Sequence, residues 1–394
     1  LFTSDQLAFQ RELVLPITVT IYSELRGRLI SAMASSSEKE REGAETLGGV
    51  ENSLKVYIGR VKALGDPAFT SRLAAAETEL KAKSAGNTAI GNPWGDIAKA
   101  MGAYRNFYVA DRFSLPSGDL FNYAITLVRA GSERGKPNAE RMAGYSDSAL
   151  PLVEKRLLDE KPIYPWLDQL YMEWSLSKAR EYLGADDPQT KLLLGKESPE
   201  GLAARLVAGT KLADPALRRA LWEGGQAAIE ASTDPMIVYA RSVDANDRAL
   251  QKRYDEEVDA PLTAAQARLA DARFAAYGDS VYPDATFTLR ISYGKVAGWQ
   301  ERGQMVPSRT TLGGTFDRAT GASPFDLPPA FIANAKTIDP DVTYNFVTTH
   351  DIIGGNYGYD GTIKRAVVVS AAAVQEALEK IYPAPHLVAE LKGK

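Results

Sequence analysis

The chain of 394 residues contains no cysteine. This excludes disulfide bonds and thiolate metal sites within the segment, but it does not determine the cellular compartment. Only two histidines are present, His350 and His386, and they are far apart in the sequence with no H-E-x-x-H pattern. Because a histidine without a spaced partner is more often structural than a ligand, we expect no metal site and no cofactor.

Long apolar runs, basic blocks and phosphate loops are also missing. The run AVVVSAAAV, residues 366–374, is far shorter than the roughly 20 residues that cross a bilayer. The net charge is −4 and its two signs are interspersed, so we expect neither a nucleic-acid nor a membrane partner. LLGKESPEG lacks the first glycine and the Ser/Thr of a P-loop, and GGNYGYDG does not match G-x-G-x-x-G.

Composition and length predict a globular protein with two domains. Hydrophobic residues make up 45% of the chain and charged residues 24%, which is ordinary for folded proteins. A chain of 394 residues exceeds what one hydrophobic core usually organises. The chain begins LFTSDQLAFQ, without an initiator Met or a signal-peptide pattern, so we expect it to be processed or to begin inside a longer protein.

Residues 1–277 show helix signals almost throughout. Thr3 and Gln6 have the spacing of a capping box. Asp214 and Asp234 each precede a proline, as N-caps often do, and DPALRRALWEGG predicts a helix that ends on its glycines. Gly278 is the predicted C-cap of the last helix in this region. One apolar face is predicted from the helical spacing of Leu120, Tyr123, Ala124, Leu127 and Val128.

After Gly278 the apolar residues change from a helical period to a period of two. The alternation in TFTLRISYGKV predicts a half-buried strand, and TYNFVTT and IKRAVVVS are also strand-like. A last helix is predicted with Ser370 as N-cap and with Val374, Leu378 and Ile381 on one face. Helices before strands favour an α+β fold, with a helical domain at 1–277 and a smaller β-containing domain at 278–394.

The stretch TTHDIIGGNYGYDG, residues 348–361, is the one candidate for chemistry. Glycines suit a turn whose backbone N–H groups converge on an oxyanion, because they adopt unusual φ/ψ values at little cost. Taken alone, the stretch is more simply a glycine-rich hairpin or loop. The residue after Asn356 is Tyr357, so a hydrolase would lack its nucleophile there.

Several segments resemble one known family. YPDATFTLRISYGKVAGW, TTLGG, ATGASPFDLPP and YNFVTTHDIIGGN resemble the bacterial dipeptidyl-peptidase family of serine exopeptidases (dipeptidyl aminopeptidase BII-like). LAFQRELVLPI, GVENSLKVYIGR and KPNAERMAGYSDSALPLVEKRLL resemble its helical insert. The resemblance implies a helical lid domain at 1–277. It also implies that 278–394 is the C-terminal part of a chymotrypsin-like antiparallel β-barrel with a C-terminal helix.

The resemblance also exposes departures from the family pattern. In the family the strand NFVTTHDIIGGN leads directly into Ser-Gly-Ser-Pro, whereas here Tyr357 follows Asn356. The N-terminal barrel half with the catalytic His and Asp is also absent, and neither His350 nor His386 matches that motif. We expect Asn356–Tyr357 to be a join across missing residues, because deleting the nucleophile segment would leave unpaired strand edges. A true deletion that leaves an inactive scaffold is the alternative.

The roles of the candidate site residues follow only from the resemblance to this family. Gly355 would supply an oxyanion-hole N–H, and the nucleophile would follow directly after Asn356. Asn52 would bind the α-ammonium of the peptide. From the sequence alone, Asn52 is more simply a helix cap or a surface residue.

The function expected from the resemblance is release of dipeptides from the free N-terminus of oligopeptides through an acyl-enzyme. We expect a hydrophobic P1 residue, with an acidic P1 as the rival within the family, a homodimer, and a periplasmic or secreted location. The alternative is a non-catalytic helical binding or assembly module with a β cap. An endopeptidase is a third possibility, which the large helical part weakens because an open cleft would not need it.

Overall fold

The computed structural model describes residues 2–278, 294–301, 303–322, 325–349, 371–381 and 383–392. The chain divides into two compact units, Leu1–Asp284 and Ala285–Lys394. In its described part the first unit contains helices and connecting turns, and the second unit contains short antiparallel strands and short helices. The predicted combination of a large helical part and a smaller part with strands is therefore confirmed. The lid and catalytic-domain assignments stay predictions.

The described part of the first unit contains fourteen α-helices. Two π-helical segments, Gln10–Val14 and Asp255–Asp259, join α1 to α2 and α13 to α14 without a break. The helices are α1 Ser4–Phe9, α2 Leu15–Met33, α3 Ser37–Gly65, α4 Pro67–Ser84, α5 Pro93–Arg105, α6 Tyr108–Arg112, α7 Asp119–Glu133, α8 Leu150–Leu157, α9 Pro165–Leu183, α10 Pro188–Leu194, α11 Pro199–Gly209, α12 Pro215–Ala231, α13 Pro235–Tyr254 and α14 Ala260–Tyr277.

Asp-Pro pairs start four of these helices. Asp66, Asp187, Asp214 and Asp234 each accept a hydrogen bond of 2.8–2.9 Å from the N–H of the second residue of the helix that follows. The proline at the first helical position has no N–H to satisfy and a φ already suited to the helix. The predicted caps at Asp214 and Asp234 are confirmed.

The remaining end signals are confirmed with one exception. Thr3 caps α1 in a capping box with Gln6, and Gly278 ends α14 with φ 57°. The exception is α12, which was predicted to end on its two glycines. Gly225 has φ 61° and ψ −150°, a conformation that kinks the helix, and α12 then continues to Ala231.

The first unit is held together by one hydrophobic core. α2 packs along α3, α7 packs against α12 and α13, α9 against α11, and α14 against α5. The predicted apolar face of α7 is confirmed, since Leu120, Ala124 and Leu127 are at most 2% exposed. Tyr123 and Val128 are half-buried and pack at the margin of the same core.

The described part of the second unit contains two small antiparallel sheets. β1 (Trp299–Glu301) pairs with β2 (Gln304–Val306), and β3 (Arg309–Thr311) pairs with β4 (Thr343–Phe346) across an irregular register. The strand predicted within TYNFVTT is confirmed as β4, whereas the strands predicted in residues 287–293 and 363–370 lie outside the described residues. The chymotrypsin-like barrel stays a prediction.

Four short helices complete the described part of the second unit. They are α15 Gly313–Asp317, α16 Pro329–Asn334, α17 Ala371–Lys380 and α18 Pro385–Leu391. A small core contains buried Leu312, Ile338 and Ile381. Of the predicted apolar face of α17, Ile381 directly follows the helix and is buried, whereas Val374 is 37% exposed, so the prediction is confirmed only in part. The predicted N-cap Ser370 lies outside the described residues.

Candidate functional site

Asn52 lies in the middle of α3, on the face that points away from the core. Its neighbours Val50 and Leu54 are buried, whereas the Asn52 side chain is exposed. The N-cap of α3 is Ser36, so the interpretation of Asn52 as a cap is wrong. Asparagine is a poor residue for a helix interior. Within the described residues its side-chain amide has no hydrogen bond, which leaves its carbonyl oxygen available as an acceptor.

Two contacts between α2 and α3 flank Asn52 and hold this segment in place. Glu51 accepts a hydrogen bond of 2.8 Å from Arg26 Nε, so its carboxylate is held by a residue of α2. On the other side, the Tyr57 ring packs edge-on against Tyr22 with centroids 5.5 Å apart. The Asn52 amide therefore lies on a helix that contacts α2 on both sides of it, not on a loop.

The strand that leads towards the glycine turn is also held by pairing. After β4, the Val347 N–H donates to the Ser308 carbonyl at 2.9 Å, and the Thr349 N–H donates to the Lys295 carbonyl at 2.9 Å. The Lys295 N–H donates back to Thr349 Oγ1 at 3.0 Å. Antiparallel contacts thus continue to the last residue described before the turn.

The turn itself lies outside the described residues. This applies to His350, to Gly355 with its predicted oxyanion-hole N–H, and to the Asn356–Tyr357 junction. His386 is exposed in the first turn of α18. The described part of the chain holds no group of three or more side chains that could bind a metal ion. Nor does it contain a helix with the length and apolar character of a membrane span.

A buried carboxylate that the sequence patterns did not identify lies beside the start of α7. Asp168, on α9, accepts hydrogen bonds from the backbone N–H groups of Asp119 at 2.5 Å and Leu120 at 3.2 Å. It lines a cavity of about 340 Å³ together with Thr46 and Tyr171. Burial raises the pKa of Asp168 to about 6, although both N–H bonds favour the charged form. Because both of its carboxylate oxygens accept from backbone N–H groups at the start of α7, we assign Asp168 a structural role.

An ionic network between α7 and α13 was also not visible in the sequence. Asp244 pairs with Arg129 at 2.8 Å and with Arg248 at 2.6 Å, and Arg248 also pairs with Glu133 at 2.5 Å. Burial opposes ionisation of Glu133, but hydrogen bonds from Lys136, the Met142 N–H and Arg248 outweigh it and lower the pKa to about 2. These charges compensate one another, so the network joins two helices and leaves no free charge for a ligand.

Known proteins resemble this chain at the level of sequence and of fold. A sequence model of the family described as Peptidase S46 matches residues 1–358 and 355–393. The Asp/Glu-specific dipeptidyl-peptidase of Shewanella putrefaciens is 31% identical over 223 residues, which is 54% of this chain and 30% of that protein. Its namesake in Flavobacterium psychrophilum is 27% identical over 230 residues, covering 48% of this chain and 32% of that protein.

The fold has counterparts among solved structures. Porphyromonas endodontalis DPP11 in complex with the dipeptide Arg-Glu matches 99% of this chain with a TM-score of 0.69 and 18% identity, over 62% of its own length. Its complex with Arg-Asp gives a TM-score of 0.68 at the same identity and coverage. At this identity the match shows a shared fold.

The matches also establish the family. The chain spans about a third of the length of the curated relatives and 62% of DPP11. The family match extends over nearly the whole chain, in two segments that meet at residues 355–358. It confirms the relationship to bacterial dipeptidyl-peptidases that the motifs predicted. The chain therefore belongs to the peptidase S46 family.

Proposed function

We propose that the full-length protein is a serine-type dipeptidyl-peptidase that releases dipeptides from the free N-terminus of oligopeptides. The observation that carries this proposal is the family match over residues 1–358 and 355–393. The relatives that resemble the chain are named dipeptidyl-peptidases, and DPP11 of the same fold was solved with dipeptides. Oligopeptides are the proposed substrates.

The proposed reaction is acyl transfer to a serine. The serine Oγ attacks the carbonyl carbon of the second residue, and a histidine oriented by an aspartate takes the serine proton and passes it to the departing amine of the third residue. Water then hydrolyses the acyl-enzyme and frees the dipeptide. The N–H of Gly355, with that of the serine, would stabilise the oxyanion, and loss of one such donor costs about 3 kcal/mol of transition-state stabilisation.

The junction at Asn356–Tyr357 decides whether the nucleophile belongs to this protein. The family match breaks into two segments that meet at residues 355–358, which supports residues missing between Asn356 and Tyr357. In the alternative, a continuous bond there leaves a non-catalytic helical binding or assembly module. A bonded trans peptide has a Cα–Cα distance of about 3.8 Å, but this junction lies outside the described residues.

Asn52 is the proposed group that identifies the peptide N-terminus. An enzyme that removes dipeptides must hold the α-ammonium at a fixed distance from its nucleophile. A neutral amide oxygen accepts from that cation without a second buried charge. The exposed position of Asn52 on a helix held by Arg26–Glu51 and Tyr22–Tyr57 supports this role.

For the P1 residue we propose an acidic side chain. The expectation of a hydrophobic P1 has no support, because both curated relatives are named Asp/Glu-specific. A partial chymotrypsin-like barrel, a lid function for the helical unit, a homodimer and a periplasmic or secreted location remain proposals that rest on the motif resemblance. Closure of a lid would exclude water and restrict the cleft to peptide ends.

The test compares dipeptidyl substrates with free and acetylated N-termini in the full-length protein, each with Glu, Asp, Leu or Phe at P1. We expect cleavage of free-amine substrates with Glu or Asp at P1. Asn52→Ala should lower kcat/KM on them by about 10- to 100-fold, because a hydrogen bond to a charged group contributes about 1.5–3 kcal/mol. Asn122→Ala, at an exposed asparagine on α7, is the control and should have no effect.

Three outcomes contradict separate parts of the proposal. Equal cleavage of acetylated substrates would exclude an exopeptidase. A preference for Leu or Phe at P1 would refute the acidic assignment alone. A full-length protein that releases no dipeptide would favour the binding-module alternative.

A further inference from the structure

An ion pair lies beside the residue that is proposed to bind the peptide N-terminus. Arg26 Nε on α2 donates to the Glu51 carboxylate on α3 at 2.8 Å, and Glu51 directly precedes Asn52. Among the residues that the structure describes, neither member of this pair has a second ion-pair partner. Within that part of the chain, Arg26 alone therefore compensates the charge of Glu51.

The pair with Arg26 is not the one that the local pattern favours. Lys55 follows Glu51 by four residues, which is the favourable spacing and orientation for a pair on one helix. On α4 this spacing does produce a pair, between Glu77 and Lys81 at 2.5 Å. The Glu51 carboxylate instead binds Arg26 on the neighbouring helix. The contact between α2 and α3 thus determines where this carboxylate lies.

Glu51 and Asn52 carry two different acceptors for the same ligand group. A primary ammonium donates to a carboxylate as well as to an amide oxygen, and the charged acceptor forms the stronger bond. The Glu51 side chain is 39% exposed, so it is accessible to a ligand that approaches α3. Successive side chains on a helix point about 100° apart, so an ammonium bound at Glu51 lies several ångströms from the position that it would take at Asn52.

An ammonium bound at Glu51 would be unproductive in the proposed reaction. Dipeptide release requires the ammonium at one fixed distance from the nucleophile, and a misplacement of about 1 Å can cost about 100-fold in rate. A free Glu51 carboxylate would therefore compete with Asn52 for the substrate and hold the scissile bond away from the nucleophile. Arg26 removes this competitor, because a carboxylate that is already paired attracts a second cation far less.

We propose that Arg26 is a positioning residue that pairs with Glu51 and so leaves Asn52 as the acceptor for the α-ammonium of the peptide. The proposal rests on the proposed function, in which Asn52 binds that ammonium. Arg26 acts through the charge of Glu51 and makes no contact with the substrate. This role differs from a structural one, in which the pair serves only to hold α3 against α2.

The experiment measures kcat and KM separately for Arg26→Met in the full-length protein, on a dipeptidyl substrate with a free N-terminus. Unproductive binding at Glu51 lowers kcat and KM by the same factor and leaves kcat/KM unchanged. If the state at Glu51 is twice as populated as the state at Asn52, both values fall by about threefold. Lys55 recaptures Glu51 only in part, because an exposed pair on one helix favours the paired state by only about twofold. Loss of a structural contact would instead lower kcat/KM.

Further variants separate the charge of Glu51 from the stability of the helix contact. Arg26→Met/Glu51→Gln should restore both kcat and KM, because glutamine has the shape of glutamate without its charge. A structural pair predicts no recovery, since the double variant lacks the pair as well. Arg26→Lys keeps a cation beside Glu51 and should retain the wild-type values. Arg268→Met is the matched control, because Arg268 pairs with Asp96 of another helix at 2.5 Å and with similar exposure, and it should change neither value.

The possible failures are distinguishable. A joint fall of kcat and KM in Arg26→Met that recovers in the double variant supports the proposal. If Arg26→Met lowers kcat/KM without recovery, lowers KM alone or keeps the wild-type values, the Arg26 inference is wrong and the proposed function stands. The same holds if Arg268→Met reproduces the effect. If the full-length protein releases no dipeptide, both proposals are overturned.

Discussion

Replacement of Asp168 by asparagine tests whether burial of this carboxylate beside the start of α7 makes stability depend on pH. The Asp168 side chain is 7% exposed and accepts from the Asp119 and Leu120 N–H groups. Burial raises its pKa from 3.8 to about 6, which corresponds to about 3 kcal/mol between the two protonation states. Because the folded protein holds the proton more tightly, this contribution to stability is complete below about pH 4 and is lost as the pH rises to about 6.

Asp168→Asn should remove that pH dependence. The amide is uncharged at every pH, and its oxygen can replace Asp168 Oδ1, which accepts from the Asp119 N–H at 2.5 Å and lies 3.4 Å from the Leu120 nitrogen. The free energy of unfolding of the variant relative to wild type should therefore rise by about 2.5 kcal/mol between pH 4 and pH 7, with the variant favoured at the higher pH. Asp271→Asn, at an exposed carboxylate on α14, is the control and should show no such change.

Urea unfolding followed by tryptophan fluorescence provides the measurement. Four of the five tryptophans lie in the first unit, and two of them, Trp166 and Trp174, flank Asp168 on α9. The signal therefore reports chiefly on the helical unit. A difference between variant and wild type that stays constant within about 0.5 kcal/mol from pH 4 to pH 7 would show that burial does not raise the pKa of Asp168.

Two further predictions concern stability and use the same unfolding measurement. Arg218→Met should destabilise the protein by about 3–5 kcal/mol, because the buried guanidinium donates to the carbonyls of Leu157, Leu212 and Asp159, which would lose their donors. The exposed neighbour is the comparison, and Arg219→Met should change stability by less than about 0.5 kcal/mol; similar effects at the two positions would refute the role of burial. Gly48→Ala should stabilise by about 0.5–1 kcal/mol, because a Cβ there meets no atom within 4 Å and alanine is the better helix residue. Gly43→Ala should gain less, since its Cβ would lie 2.8 Å from Met33 Sδ, and an equal gain at both positions would contradict this contact.

The most reliable predictions from the sequence were those that depend on residues close together in the chain. Asp214 and Asp234 were recognised as caps because the carboxylate and the N–H that it accepts are two residues apart. The apolar face of α7 was recognised because its members repeat within a few turns. The exception at Gly225 has the same origin, because a glycine pair allows either an end or a kink and the pattern does not distinguish them.

The contacts around the candidate site could be predicted from the sequence only in part. The motif resemblance pointed to Asn52, whose position in the sequence is consistent with the interior of a helix. The partner of Glu51 was not predictable, because the local pattern favours Lys55 and the structure pairs it with Arg26, 25 residues away.

For this protein, residue order alone established most of the predicted helix ends, the apolar face of α7 and the division into a helical part and a part with strands. These features depend on groups at most a few residues apart, so the covalent chain brings them together. The Asp168 bonds to the start of α7 span 48–49 residues, and the Arg218 bonds to Leu157 and Asp159 span 61 and 59. Such partners meet only after the helices have packed, because no local pattern records which backbone groups a distant side chain will reach.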